Sequence, residues 1–169
     1  MHILLLIPIV YAAAMLDTAL GDVVRIGAIA PDLLAMTAVM WILLAGGPRA
    51  FLVAGAIALL ADLIAPGPLG IGAAWMLLVG YPLCRLRKNV KIDNLAVRVA
   101  VVCVAVTLWA TGVGLTGYLF SDIDTRPMTV VLRAGGVGIY TAAVSVPLFM
   151  VAGWIGESRL FARRQLEGM

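Results

Sequence analysis

From Ala96 to Phe120 the chain runs through 25 residues with a single charge, Arg98. A helix needs about 20 such residues to cross a bilayer. Within lipid, every backbone polar group must be satisfied inside a helix or a closed barrel. Barrel strands alternate apolar and polar residues over segments of about 10, and the apolar runs here are continuous, so the pattern is helical. Comparable runs recur along the chain, and 63% of its 169 residues are hydrophobic, against about 45–50% in a soluble domain. A chain this short has no water-soluble core large enough to hide that surface. The expected fold class is an all-α polytopic membrane protein, a compact bundle of six transmembrane helices forming one integral membrane domain over residues 1–169. The longest polar stretches, Arg85 to Asn94 and Glu157 to Met169, are too short to build a second core.

The expected spans are Ile3–Leu20, Gly27–Ala45, Ala50–Ala65, Leu69–Cys84, Ala96–Phe120 and Thr129–Ile155. The apolar N-terminus resembles a signal peptide, but no Lys or Arg precedes it, so it is read as a retained first span. Orientation follows from the basic residues. With a cytoplasmic N-terminus, nine of the twelve Lys and Arg residues fall on the cytoplasmic side, among them the candidate anchors Arg49, Arg85, Arg87 and Lys88. Both termini are then cytoplasmic, and the net charge of +3 reads as an anchor to anionic lipid, with no nucleic-acid partner. The alternative for the segment Arg85 to Lys91 is contact with a cytoplasmic filament or ATPase.

Small residues recur every four positions: Ala50, Ala54 and Ala58 on the third span, and Ala134, Gly138 and Ala142 on the sixth. Such stripes let helix backbones approach closely in lipid, either within the bundle or against a partner's transmembrane helix. Cys84 and Cys103 read as small apolar fillers.

Two acids stand out because a charge within a span is costly. Asp32 follows Pro31, which suits a first helical turn; there an acid is favoured by the positive end of the helix dipole. Asp62 continues the alanine stripe of the third span near its C-terminal end, where the dipole disfavours a negative charge. The turn that follows, through Pro66, Gly67, Pro68, Leu69 and Gly70, is a tight reversal. Each acid is expected either to accept backbone N–H groups near that turn or to bind a partner; ion or proton coupling is a third role. No His, Cys and carboxylate cluster has metal-site spacing, no nucleophile–base pair is evident, and no phosphate-binding loop occurs. The expectation is a non-enzyme without cofactor or metal.

Residues 31–88 resemble the bacterial rod shape-determining protein MreD family. The resemblance rests on Pro31-Asp32-Leu33-Leu34, Gly47-Pro48-Arg49, Leu60-Ala61-Asp62-Leu63 with Pro68-Leu69-Gly70, and Leu78-Val79-Gly80-Tyr81 before Arg85-Leu86-Arg87. It carries Pro31, Asp32, Asp62, Pro68, Leu69, Gly70, Gly80 and Tyr81 over as motif positions, and assigns none of them a catalytic role. Pro82 departs from the pattern and is expected to kink the fourth helix. The resemblance implies a multi-pass protein of the bacterial cytoplasmic (inner) membrane, a scaffold of the cell-elongation machinery that helps position or regulate peptidoglycan synthesis. The implied partner is an MreC-like bitopic coiled-coil protein. Through it the chain is linked to an MreB-like filament and to a SEDS glycosyltransferase and class B transpeptidase pair. The family looks similar to the substrate-binding subunits of energy-coupling-factor vitamin transporters, so the alternative function is a small-molecule-binding subunit of that kind. That alternative requires an outward-facing pocket with convergent polar groups.

Overall fold

The computed structural model describes residues 3–20, 29–45, 49–65, 69–89, 94–120 and 127–167. They form six helices: α1 (Ile3–Leu20), α2 (Leu33–Ala45), α3 (Ala50–Ile64), α4 (Ile71–Asn89), α5 (Leu95–Phe120) and α6 (Pro127–Glu167). Among the described residues the elements are all helical. Among the described residues, two segments, the whole of α5 and Pro127–Val151 of α6, are long and apolar enough to cross a membrane. With 13 and 15 residues, α2 and α3 extend about 20 and 22 Å at about 1.5 Å per residue. Both fall short of a hydrocarbon core about 30 Å thick.

Several helix ends depart from the expected spans. The second helix begins at Leu33, six residues after Gly27. Pro31 disfavours helical backbone at the residue before it, and Asp32 is the N-cap; neither residue lies in the first turn. α4 passes through Pro82 and continues beyond Cys84 to Asn89, and α6 continues beyond Ile155 to Glu167. Both extensions are rich in Arg, Leu and Lys or Gln, which favour helix.

α2 is the hub. It packs on each of the other five helices, while α5–α6 and α3–α4 are the most extensive pairs. Its buried residues, Leu34 to Val39 and Trp41 to Leu43, occupy every side of the helix, as expected of a helix apolar all round. α1 packs chiefly on α2.

The small-residue stripes lie inside this bundle. Ala54, Ala58, Ala134 and Ala142 are buried. A methyl group placed on Gly138 would collide with the Thr107 side chain and lie 3.0 Å from the Cys103 carbonyl oxygen. One placed on Gly55 would come within 2.6 Å of the Leu77 side chain, where α3 packs on α4. Gly80 makes the other close approach of α4, toward Ile42 and Phe51. Neither Cys84 nor Cys103 is in a disulfide among the described residues.

Candidate functional site: capped helix starts at one end of the bundle

The α3–α4 turn is organised by a carboxylate. Asp62 accepts the backbone N–H groups of Gly70 at 3.0 Å and Ala73 at 3.1 Å through one oxygen, Oδ2. Those are two of the donors that the start of α4 leaves without an intrahelical partner. An acid on the C-terminal turn of α3 is therefore held by the positive end of α4, and the two helix ends are fastened together. Two glycines permit this geometry. Gly70 has φ +90°, a backbone conformation that side chains with a Cβ resist. Gly72 lies so close to the Asp62 carboxylate that a methyl group there would collide with Oδ1.

α5 joins the same assembly through two tryptophans. The buried Trp109 donates its Nε1–H to the Gly72 carbonyl oxygen at 2.9 Å. Trp75, on α4, donates to Thr116 Oγ1 at 2.9 Å, and its ring lies directly over Gly112, where a Cβ would collide with it. An indole is bulky and apolar with one donor, so it fills a helix crossing and leaves a polar group to be matched. Both donors are matched here, each across the α4–α5 contact. By contrast, the buried Trp41 Nε1 on α2 has no hydrogen-bond partner.

A second carboxylate organises the start of α2. Asp32 Oδ1 accepts the Ala35 N–H at 2.7 Å, the N-cap to N3 bond of a capped helix. The Asp32 backbone N–H donates to Thr141 Oγ1 at 3.0 Å. Thr141 is completely buried on α6, as is Ser145 one turn further on. The start of α2 is thereby fixed against the middle of α6. Asp17, near the end of α1, faces the Leu33 backbone N–H and lies close enough to Asp32 for the two charges to interact. Two carboxylates therefore meet at this helix start, where their like charges oppose one another.

At the opposite end of α2, Arg87 donates from α4 to the carbonyl oxygens of Ile42 and Leu44, each at 3.3 Å. These are last-turn carbonyls that the helix cannot satisfy itself, and a cation is favoured there. Nearby, Tyr81 stands edge-on to Phe51 with ring centroids 6.0 Å apart, and the Arg85 guanidinium lies 5.7 Å from the Tyr81 ring centre. Arg49 occupies the N-cap position of α3 without a side-chain capping bond.

Of the residues singled out in the sequence, Asp62 and Gly70 are brought into one motif. Pro31 and Asp32 are placed where α2 meets α6, and Gly80, Tyr81, Arg85 and Arg87 where α4 meets α2 and α3. Leu69 is exposed at the turn. Pro68 and the Lys88 side chain lie outside the described residues. Asp17, Trp75, Trp109, Thr116 and Thr141 were not singled out. Asp17 carries a usable signal, since like Asp62 it is an acid near the C-terminal end of an apolar run. The others needed the helix pairing. Among the described residues, no group of three or more His, Cys, Asp or Glu side chains is arranged to hold a metal ion. No protein-family model, curated protein or solved structure matches the chain.

Proposed function

We propose that the chain is an MreD-like scaffold of the bacterial inner membrane, crossing it six times with both termini in the cytoplasm. In this reading it captures the single membrane helix of an MreC-like partner and helps position peptidoglycan synthesis during elongation. The observation that carries the reading is the use made of the motif acids. Asp32 and Asp62 both accept backbone N–H groups at helix starts, so the residues that carry the family resemblance brace a rigid bundle. A braced bundle is what a scaffold requires, because a partner docks on it without a large ordering cost. The short α2 and α3 fit the same picture when the bilayer thins locally around the bundle, at a modest cost per ångström of mismatch.

The test is purification of tagged chain from native membranes in mild detergent, with mass spectrometry of the co-purifying proteins. The reading predicts enrichment of a single-span coiled-coil protein together with wall synthases. Recovery of a second integral subunit with paired ATPases would replace it with a transporter-subunit assignment.

A further inference from the structure

α1 is held to the bundle by a narrow stripe. Between Ile7 and Ala19, Val10 and Ala13 are buried, Ala14 and Asp17 are half-buried, and every other side chain is exposed. These four recur at i, i+3, i+4 and i+7, one face of a helix, and α1 packs chiefly on α2. A valine and two alanines bury little apolar surface. The fourth member of the stripe, Asp17, faces the Leu33 N–H at the start of α2.

That helix start already holds a carboxylate. Asp32 occupies the Ala35 N–H, and its charge and that of Asp17 oppose one another. The positive end of a helix is worth about half an elementary charge, less than either acid carries. Neither α1 nor α2 contains a Lys or Arg. α6 meets the site with the hydroxyl of Thr141. Its nearest cation, Arg133, is exposed and eight residues earlier, about 12 Å along the helix. On the other helices that pack on α2, Asp62 is bound to the start of α4 and Arg87 to the far end of α2. Arg49 and Arg98 stand at the starts of α3 and α5, and Arg85 in the last turns of α4. His2 precedes α1 in the sequence, and Asp22 and Arg25 lie between α1 and α2, all three outside the described residues. Two carboxylates that share a site resist ionising together.

We propose that Asp17 and Asp32 share one proton and that this proton latches α1 to α2, so that α1 is docked while the pair carries a single charge and is released when both acids are ionised. The docked state then holds one proton more than the released state, so docking weakens as pH rises. Release bares the side of the hub helix that α1 covers. The latch rests on the α1–α2 contact and not on the identity of a protein partner.

The experiment uses the full chain in liposomes, with Cys84 and Cys103 replaced by alanine and spin labels at Ile7→Cys and Ala45→Cys. The label separation is measured from about pH 5 to about pH 9, a range that starts just above the ordinary carboxyl titration. The expected result is one short separation at low pH and a growing longer one as pH rises. The ratio of docked to released chain should fall by up to about tenfold per pH unit, the limit for one linked proton. Asp17→Asn and Asp32→Asn remove the repulsion and keep an oxygen acceptor, so each should hold the short separation throughout. His2→Gln, Asp22→Asn and Arg25→Gln should leave the response in place. A separation independent of pH in the otherwise unsubstituted chain would overturn the proposal. So would a response that survives both Asn variants, or one abolished by His2→Gln, Asp22→Asn or Arg25→Gln. Because the pH profile is read first with both acids intact, an Asn variant that fails to fold does not blunt the test.

Discussion

Replacing Asp62 tests the α3–α4 brace directly. Asp62→Ala removes the acceptor for both the Gly70 and Ala73 N–H groups. A hydrogen bond to a charged group contributes about 1.5–3 kcal/mol, while loss of a helix cap costs about 0.5–2 kcal/mol. Asp62 is partly exposed, which lets solvent recover some of the loss, so we expect destabilisation of about 2 kcal/mol. In a chain of this size that corresponds to a fall of roughly 5 °C in Tm, read by thermal unfolding in mild detergent. Asp62→Asn retains a carbonyl acceptor and should lose less. The sharper signature is the coupling to Gly72. Gly72→Ala drives a methyl group into the carboxylate and should destabilise by about 1–3 kcal/mol alone, but by much less once Asp62 is alanine. A double-mutant cycle should therefore show coupling of at least about 1 kcal/mol. Additivity within about 0.5 kcal/mol, or a wild-type Tm for Asp62→Ala, would refute the reasoning.

Three further outcomes follow from the same contacts. Thr141→Val removes the acceptor for the Asp32 N–H inside a closed site and should cost about 1–3 kcal/mol, whereas Thr141→Ser should stay near wild type in the same unfolding assay. Trp109→Phe loses the bond to the Gly72 carbonyl, but Trp41→Phe loses none; Trp109→Phe should be the more damaging of the two by about 1 kcal/mol, and the reverse order would count against the hydrogen-bond account. Arg87→Met uncovers the Ile42 and Leu44 carbonyls and should speed hydrogen exchange in the last turn of α2 while leaving the start of α4 unchanged.

Much of the helical order is readable from hydropathy. The first span coincides with α1, and the ends of α3 and α5 fall within one residue of expectation. Errors cluster where local chemistry overrides apolar content. Residues 27–32 are apolar enough to continue a span, yet Pro31 and the capping side chain of Asp32 delay α2 to Leu33. Charged residues 85–89 suggest a loop, yet Arg87 finds carbonyls on α2 and the helix continues. At the candidate site the sequence exposes the acids and the turn, because a charge among apolar residues is conspicuous. It hides Trp75, Trp109 and Thr141, whose partners lie 41, 37 and 109 residues away. An indole or a hydroxyl in an apolar run looks like core until the helix pairing is known.

The central claim is that six helices cross the bilayer, including two that are only 13 and 15 residues long. The most direct test places single cysteines in a cysteine-free chain, within 46–48, 66–68, 90–93 and 121–126, and labels intact cells with a membrane-impermeant maleimide. The account predicts labelling at 66–68 and 121–126 and protection at 46–48 and 90–93 until the membrane is opened. Equal accessibility of 46–48 and 66–68 from one side would show that α3 does not cross, and would contradict the six-span bundle.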